Sequence, residues 1–269
     1  MSTFSRAEQR VANWVLTHPR QTAEATLAVV ANACGTSEPT VIRFCRRLGL
    51  SGFRELSIRL TEAASKPGSV IHRAVNADDT ISDAAAKVFD ASIQSLMEVR
   101  SMLSTLPIDQ AVGAMKMARS LVFVGLGASG HVANDACHKF FRLGIPCAAV
   151  NDTPGMLQHA AIAAHKDVFV FVSHTGRWPV LGDAARKARQ RGATVVAITD
   201  ESSTLATNAS ILFPLQATED TCVFTPMSSR VTQLVLLDAI QVALALALGE
   251  VAAEHLQRTK LALSDLPSG

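Results

Sequence analysis

From residue 121 onward, short apolar runs alternate with stretches of helical spacing, and this alternation constrains the chain more than any other feature. The runs occupy 121–124, 145–150, 168–172, 195–198 and 211–215. None of them alternates apolar with polar residues, so each strand needs cover on both faces. Helix-like stretches over 130–142, 155–164, 180–191 and 202–208 separate them. Strands of this kind joined by helices form a parallel sheet sandwiched between helical layers. The expected C-terminal domain, residues 108–269, is therefore a doubly wound α/β domain with a five-stranded parallel sheet. A long helix over 227–248 and a tail helix over 251–263 complete it.

The front of the chain has a different rhythm. Residues 1–65 show no two-residue period, and helical spacing covers 6–16, 26–33, 37–48 and 53–64. In the first of these helices Ala7, Val11, Trp14 and Val15 share one face. The fold class is thus α + α/β, with an all-helical N-terminal domain. A break at "SKPGS", 65–69, opens a linker and connecting helix over 66–107. In it, residues 80–103 place Ile81, Ala85, Val88, Ala91, Ser92, Leu96 and Val99 at helical spacing, and Pro107 ends the segment. The net charge is only +2, yet residues 1–65 hold eight arginines against five glutamates, which points to an anionic partner for this end.

The stretch "CGTSEPTVIRFCRRLGLSGFRE", 34–55, carries the most information there. Ser37 suits an N-cap, and Pro39 falls in the first turn, where its missing N–H costs little. Val41, Phe44, Cys45 and Leu48 form one apolar stripe, and Arg43, Arg46 and Arg47 lie opposite it. The preceding helix offers Leu27, Val30 and Ala31, and Cys34-Gly35-Thr36 has the length of the turn in a helix-turn-helix. A recognition helix needs this division: one face docks on its own domain, and the other presents cations to phosphates and groove edges. Thr36, Ser37 and Thr40 at the helix start suit phosphate contacts. Three arginines on an amphipathic helix also fit a merely solvated face; the preceding helix and turn favour double-stranded promoter DNA.

Two loops of the second domain suit an anion. "VFVGLGASGHVA", 122–133, reads as G-x-G-x-x-G after a strand, with Asp152 near the distance of a ribose partner. An NAD enzyme would also need a substrate-handling domain, for which no sequence is left. "FVSHTGRW", 171–178, places a second polar loop at a strand's carboxyl end. Gly127, Ala128 and Ser129 from the first loop, with Ser173, His174, Thr175 and Arg177 from the second, form a candidate phosphate cradle. "PMSSR", 226–230, brings Ser228 and Ser229 as further donors. Ordinary turn chemistry is the plainer reading of these serines.

The five cysteines are odd in number, never spaced C-x-x-C, and fit reduced thiols in a cytoplasmic protein better than disulfides or zinc. The histidines His131, His138, His159, His165 and His174 show no metal-ligand spacing. No signal peptide is visible, and the late apolar stretch 242–248 is too short for a bilayer, so no membrane partner is expected. Glu219 and Asp220, after the fifth strand, keep open a sugar-phosphate isomerase with an accessory helical domain.

The segments "SEPTVIRFCRRLG", "VFVGLGASGHVANDACHKFFRLG" and "SHTGR…AARKARQRGATVVAIT" together resemble the RpiR family of bacterial transcription regulators. That family joins a helix-turn-helix domain to a sugar isomerase (SIS) domain. "GLGAS", "HKFFRLG" and "PMSSRVTQLVLLD" are most similar to its HexR-like branch, and the resemblance extends over nearly the whole chain. It implies a non-enzymatic repressor of hexose-catabolism genes, a homodimer or homotetramer without cofactor. A phosphorylated sugar or sugar acid, such as 2-keto-3-deoxy-6-phosphogluconate, would release it. The resemblance carries the recognition arginines onto Arg43 and Arg46 and the phosphate-site serines onto Ser129 and Ser173. His174, Trp178, Pro179 and "NDTPGM", 151–156, depart from what relatives often carry.

Overall fold

A computed structural model describes residues 4–64, 72, 74–76, 78–215 and 227–264. The chain divides into two compact units, one reaching Asp90 and the other beginning at Ala91. The first contains α1 (Arg6–Thr17), α2 (Pro19–Glu24), α3 (Leu27–Ala33), α4 (Glu38–Arg47) and α5 (Phe53–Ala64). Its core joins Val11 and Val15 of α1, Val30 and Ala31 of α3, Val41, Phe44 and Cys45 of α4, and Leu56 of α5. Helix α2 escapes sequence reading because six mostly polar residues opening on a proline show no apolar period.

Helix α6 (Ile81–Met102) runs from one unit into the next. Its apolar stripe is less covered than its spacing predicts. No residue of α6 is buried, and Ile81 is 92% exposed. Helix α7 (Ile108–Lys116) follows, in a segment without a sequence assignment.

The second unit then alternates as expected: β1 (Ser120–Gly125), α8 (Ala128–Phe140), β2 (Cys147–Val150), α9 (Thr153–Ile162), β3 (Asp167–Val172), α10 (Pro179–Gln190), β4 (Thr194–Thr199) and β5 (Ile211–Pro214). The stretch 202–208 holds only a 3-10 turn at Ala206–Asn208 rather than a helix. Helices α11 (Ser228–Leu248) and α12 (Glu250–Ser264) end the described chain. All five strands are parallel, in the order β2-β1-β3-β4-β5.

The unbroken apolar runs have a simple cause. Leu121, Phe123, Val168, Val170, Val172, Val196 and Ile198 point to one face, where α7, α8, α11 and α12 cover them. Val122, Val124, Phe169, Phe171, Val195 and Ala197 point to the other, beneath α9 and α10. Each large side chain so buried contributes about 1.5–3 kcal/mol. Helix α11 is longer than the apolar stretch 242–248, and by length and composition alone it could cross a bilayer, a property that core helices share. It buries Leu236, Leu237, Ile240 and Leu244 in the core of this unit.

The amino end of the sheet is fastened by Asp167, which is 3% exposed. It accepts hydrogen bonds from Arg119 Nε at 2.9 Å and Nη2 at 2.6 Å, from Ser120 Oγ at 2.7 Å and from the Ala164 N–H at 2.9 Å. Burial pushes its carboxyl up, but the bonds from Arg119, Ser120 and Ala164 outweigh burial and hold the pKa below the ordinary aspartate value. Asp167→Ala should cost about 2 kcal/mol at neutral pH, less than a fully buried pair because Arg119 is largely exposed. A depressed carboxyl stabilises above its unfolded pKa, about 4, and loses that contribution as pH falls through the folded value. The Tm gap between wild type and Asp167→Ala should therefore narrow below about pH 4; a gap independent of pH would remove the charge from this account.

Candidate functional site

In the N-terminal unit, α3 ends on a left-handed glycine. Gly35 has φ +57°, its N–H reaches the Asn32 carbonyl at 3.0 Å, and the Thr36 N–H reaches that of Ala31 at 2.9 Å. This double closure turns the chain sharply into α4, and only glycine takes that φ without strain. A residue from α1 completes the turn. Arg10 donates from Nε to the Cys34 carbonyl at 3.0 Å and from Nη2 to the Gly35 carbonyl at 2.9 Å. Sequence reading missed it because its acceptors are backbone atoms more than twenty residues away.

Helix α4 buries Val41, Phe44 and Cys45 and exposes Arg43 and Arg46, as its spacing predicts. Four expectations change. Leu48 leaves the apolar stripe, 48% exposed, because the helix stops at Arg47. Arg47 does not simply face outward: its Nη1 lies 3.2 Å from Oε2 of Glu8, whose side chain is 3% exposed. Hydrogen bonds from the Ser5 backbone and side chain, with Arg47 and Arg43 nearby, lower the Glu8 pKa against the opposing pull of burial. Thr40 is 4% exposed and turns inward, where its hydroxyl accepts from Arg43 Nη2 at 3.0 Å. Ser37 is at the N-cap, but its hydroxyl pairs with that of Thr40 at 3.0 Å rather than capping a backbone N–H. Thr36 is half-buried in the turn. Arg43 and Arg46 thus form the open cationic face, with Ser37 exposed at its start; Thr40 holds Arg43, and Arg47 ties α4 to α1.

In the second unit, β1 and β3 pair so that Gly125 lies opposite Val172. The loops that follow are therefore neighbours at the carboxyl edge of the sheet, where strand order reverses and ligands of open α/β sheets bind. The three glycines of the first loop have geometric causes. A Cβ on Gly125 would strike the Ser129 carbonyl, and one on Gly130 would meet the Asn151 Cβ at 3.0 Å. Gly127, at φ +57°, is the N-cap of α8. The loop lets a helix start close against a strand, a property not special to dinucleotides. Asp152, the candidate ribose partner, instead caps α9 by accepting the Gly155 N–H at 2.7 Å.

Gly127 is exposed at the loop, and Ala128 and Ser129 are half-buried in the first turn of α8. Among the described residues the Ser129 hydroxyl has no hydrogen-bond partner. Ser173 is 9% exposed; its N–H donates to the Ile198 carbonyl at 3.1 Å, and its Oγ accepts the Gly176 N–H at 3.1 Å. Its own O–H remains a donor for a ligand. Thr175 is half-buried and Arg177 is exposed. The turn after β4 supports this loop, because a Cβ on Gly176 would collide with the hydroxyls of Ser203 and Thr199.

His174 is 7% exposed and lines a cavity of about 190 Å³ with Glu98 of α6, Leu215, and Ser229 and Thr232 of α11. Ser228, 4% exposed, is in the same first turn of α11. Cys34, Cys45, Cys137 and Cys147 are free thiols. Burial pushes the Cys45 thiol up to about 11 and that of Cys147 to about 12, so neither is reactive at neutral pH. Glu219, Asp220, Cys222, Pro226 and the break at 65–69 lie outside the described residues.

A helix-turn-helix unit, followed by a doubly wound unit with hydroxyl-bearing loops at its switch point, defines a transcription regulator with a SIS domain. The helix-turn-helix domain of the rpiR family matches residues 1–67, and the SIS domain matches residues 114–243. The HTH-type transcriptional regulator HexR of Pseudomonas aeruginosa is 37% identical over 98% of this chain and 92% of its own. HexR of Escherichia coli is 33% identical over 97% and 91%. The NanR protein of Vibrio vulnificus complexed with ManNAc-6P shares the fold, with a TM-score of 0.67 at 21% identity over 98% of this chain and 96% of that one. The chain belongs to the rpiR family of helix-turn-helix transcription regulators.

Arg10→Met should destabilise the N-terminal unit by about 1 kcal/mol, because the two bonds it loses are partly exposed. Hydrogen exchange at the Gly35 and Thr36 amides should quicken with it. Unchanged exchange would mean that the glycine closure alone holds the turn.

Proposed function

We propose that this regulator is a repressor of sugar-catabolism genes that a phosphorylated sugar or sugar acid releases from promoter DNA. The supporting observation is the pairing of β1 with β3, which sets Ser129 and Ser173 in adjacent loops. There the start of α8 adds backbone N–H groups and the positive end of its dipole. NanR, which shares the fold, was captured with a sugar phosphate. 2-Keto-3-deoxy-6-phosphogluconate, the effector the HexR resemblance implies, has the phosphate this crevice suits. Gly127, Ala128, Thr175 and Ser228 shape the site, and Arg177 adds charge at its edge.

On the DNA side, Arg43 and Arg46 read groove edges and phosphates, while Ser37 and Thr36 meet phosphate at the start of α4. Two subunits place two such helices about 34 Å apart, or a multiple of it, on a near-palindromic site. Effector binding alters subunit geometry and weakens this match by a coupling of about 1–3 kcal/mol. The protein then acts in the cytoplasm, as a homodimer or homotetramer, without a catalytic role.

Gel shifts with promoter DNA test both halves. Arg43→Ala and Arg46→Ala should each lower operator affinity by about tenfold while leaving Tm nearly unchanged. Ser129→Ala with Ser173→Ala should bind DNA normally and ignore the effector. Full response from that double variant would place the effector elsewhere, and wild-type affinity in both arginine variants would displace the reading face.

A further inference from the structure

The first turns of α11 hold two donors that the loops after β1 and β3 do not explain. Gln233 is 1% exposed, and among the described residues its Nε2 has no hydrogen-bond partner. The Nε of Arg230, one turn earlier, is buried and also lacks a partner among the described residues. Folded interiors leave few such groups, because each has given up water without replacement. Both atoms are donors only, and one belongs to a cation. An anionic oxygen is the group that would satisfy such donors.

Their position indicates where it comes from. Ser229 and Thr232 line the 190 Å³ cavity, and Gln233 is four residues after Ser229, on the same helical face. Helical side chains lean toward the amino end, which sets Gln233 over the turn of Ser229, behind the α11 wall of that cavity rather than on it. On another wall stands His174, adjacent to Ser173 in the second loop. The cavity thus reaches from His174 of the second loop to the start of α11. It has room for about six waters at roughly 30 Å³ each, the scale of a short acyclic metabolite. Glu98 lines it from the exposed side of α6. Its carboxylate accepts ligand hydroxyls and repels a ligand carboxylate, which leaves the α11 side for the latter.

We infer that Gln233 and Arg230 form a second anion subsite, which holds the carboxylate of a phosphorylated sugar acid while the two loops hold its phosphate. This rests on the sugar-phosphate reading of the crevice. It makes these residues the ones that separate sugar acids from neutral sugar phosphates.

Titration calorimetry on the full chain tests it, with 2-keto-3-deoxy-6-phosphogluconate, glucose 6-phosphate and inorganic phosphate as ligands. Wild type should prefer the keto acid. Gln233→Met, which keeps the bulk and removes the donor, should lose about tenfold or more for the keto acid and under about threefold for the other two. Gln233→Glu, nearly the same shape, should lose more for the acid alone, and it carries the test if the methionine variant has a collapsed Tm. Arg230→Lys should lose an intermediate amount, again for the acid alone. Equal losses for all three ligands, no loss, or a wild type that prefers glucose 6-phosphate would overturn the subsite while leaving the sensor reading intact. A wild type that binds no phosphorylated sugar, with Ser129→Ala and Ser173→Ala silent, would overturn both.

Discussion

What the C-terminal unit can do depends on β1 lying beside β3. From that pair the chain leaves in opposite directions, through α8 to β2 on one side and through α10 to β4 on the other. Crossovers between parallel strands are right-handed, so reversing direction puts the two helices on opposite faces of the sheet. Core packing agrees: α8 buries Val132, Ala136 and Phe140 with one face, and α10 buries Leu181, Ala184 and Ala188 with the other. Two helix starts then diverge above adjacent strand ends, and a crevice opens between them without any side chain being spent to make it. The hydroxyls of Ser129 and Ser173 only decorate a gap that topology provides.

The same geometry explains why the first loop resembles a nucleotide fingerprint. Gly125 and Gly130 are required because α8 begins almost in contact with the end of β1, and Gly127 because the chain must reverse there. Any anion site built from a strand, a tight turn and a helix start shares those needs. What distinguishes ligands lies farther along. Here the acidic residue at the ribose distance caps α9, and the adjoining cavity is small, with hydroxyls, an imidazole and a carboxylate set among Val99, Met102, Pro214 and Leu215.

The sheet, both helical layers and the recognition helix were legible in the sequence because each buries a periodic apolar face. The five runs from 121 match the five strands within two residues, and α4 differs from its expected span by one residue at each end. What escaped was whatever depends on distant partners or on very short elements. Helix α2 is too brief to show a period, and α7, nine residues between a proline and a strand, has too short an apolar pattern to stand out. Arg10 bonds to a turn on another helix, and Glu8 looks like a solvated acid in sequence although it is buried against Arg47. Helical spacing placed Thr40 beside the arginines; it did not reveal that a threonine hydroxyl next to Ser37 and Arg43 gains more by turning inward. For Gln233 the obstacle was burial itself, since a glutamine near a helix start is exposed far more often than not.

These inward polar groups share a logic. Free arginines on a recognition helix lose much rotamer freedom on meeting DNA, and that loss subtracts from affinity. Arg43 already rests on Thr40, which is held in turn by Ser37, and the turn that aims α4 is fixed by Arg10. In the other unit the second loop is seated by its own neighbours: Ser173 is bonded to β4 and to Gly176, and Gly176 fits against Ser203 and Thr199 with no room for a methyl group. Both candidate surfaces are thus ordered by hydrogen bonds and packing within their own unit. Thr40, Arg10 and Ser203 therefore act by positioning: a substitution there removes order from the candidate surface without removing a group from it.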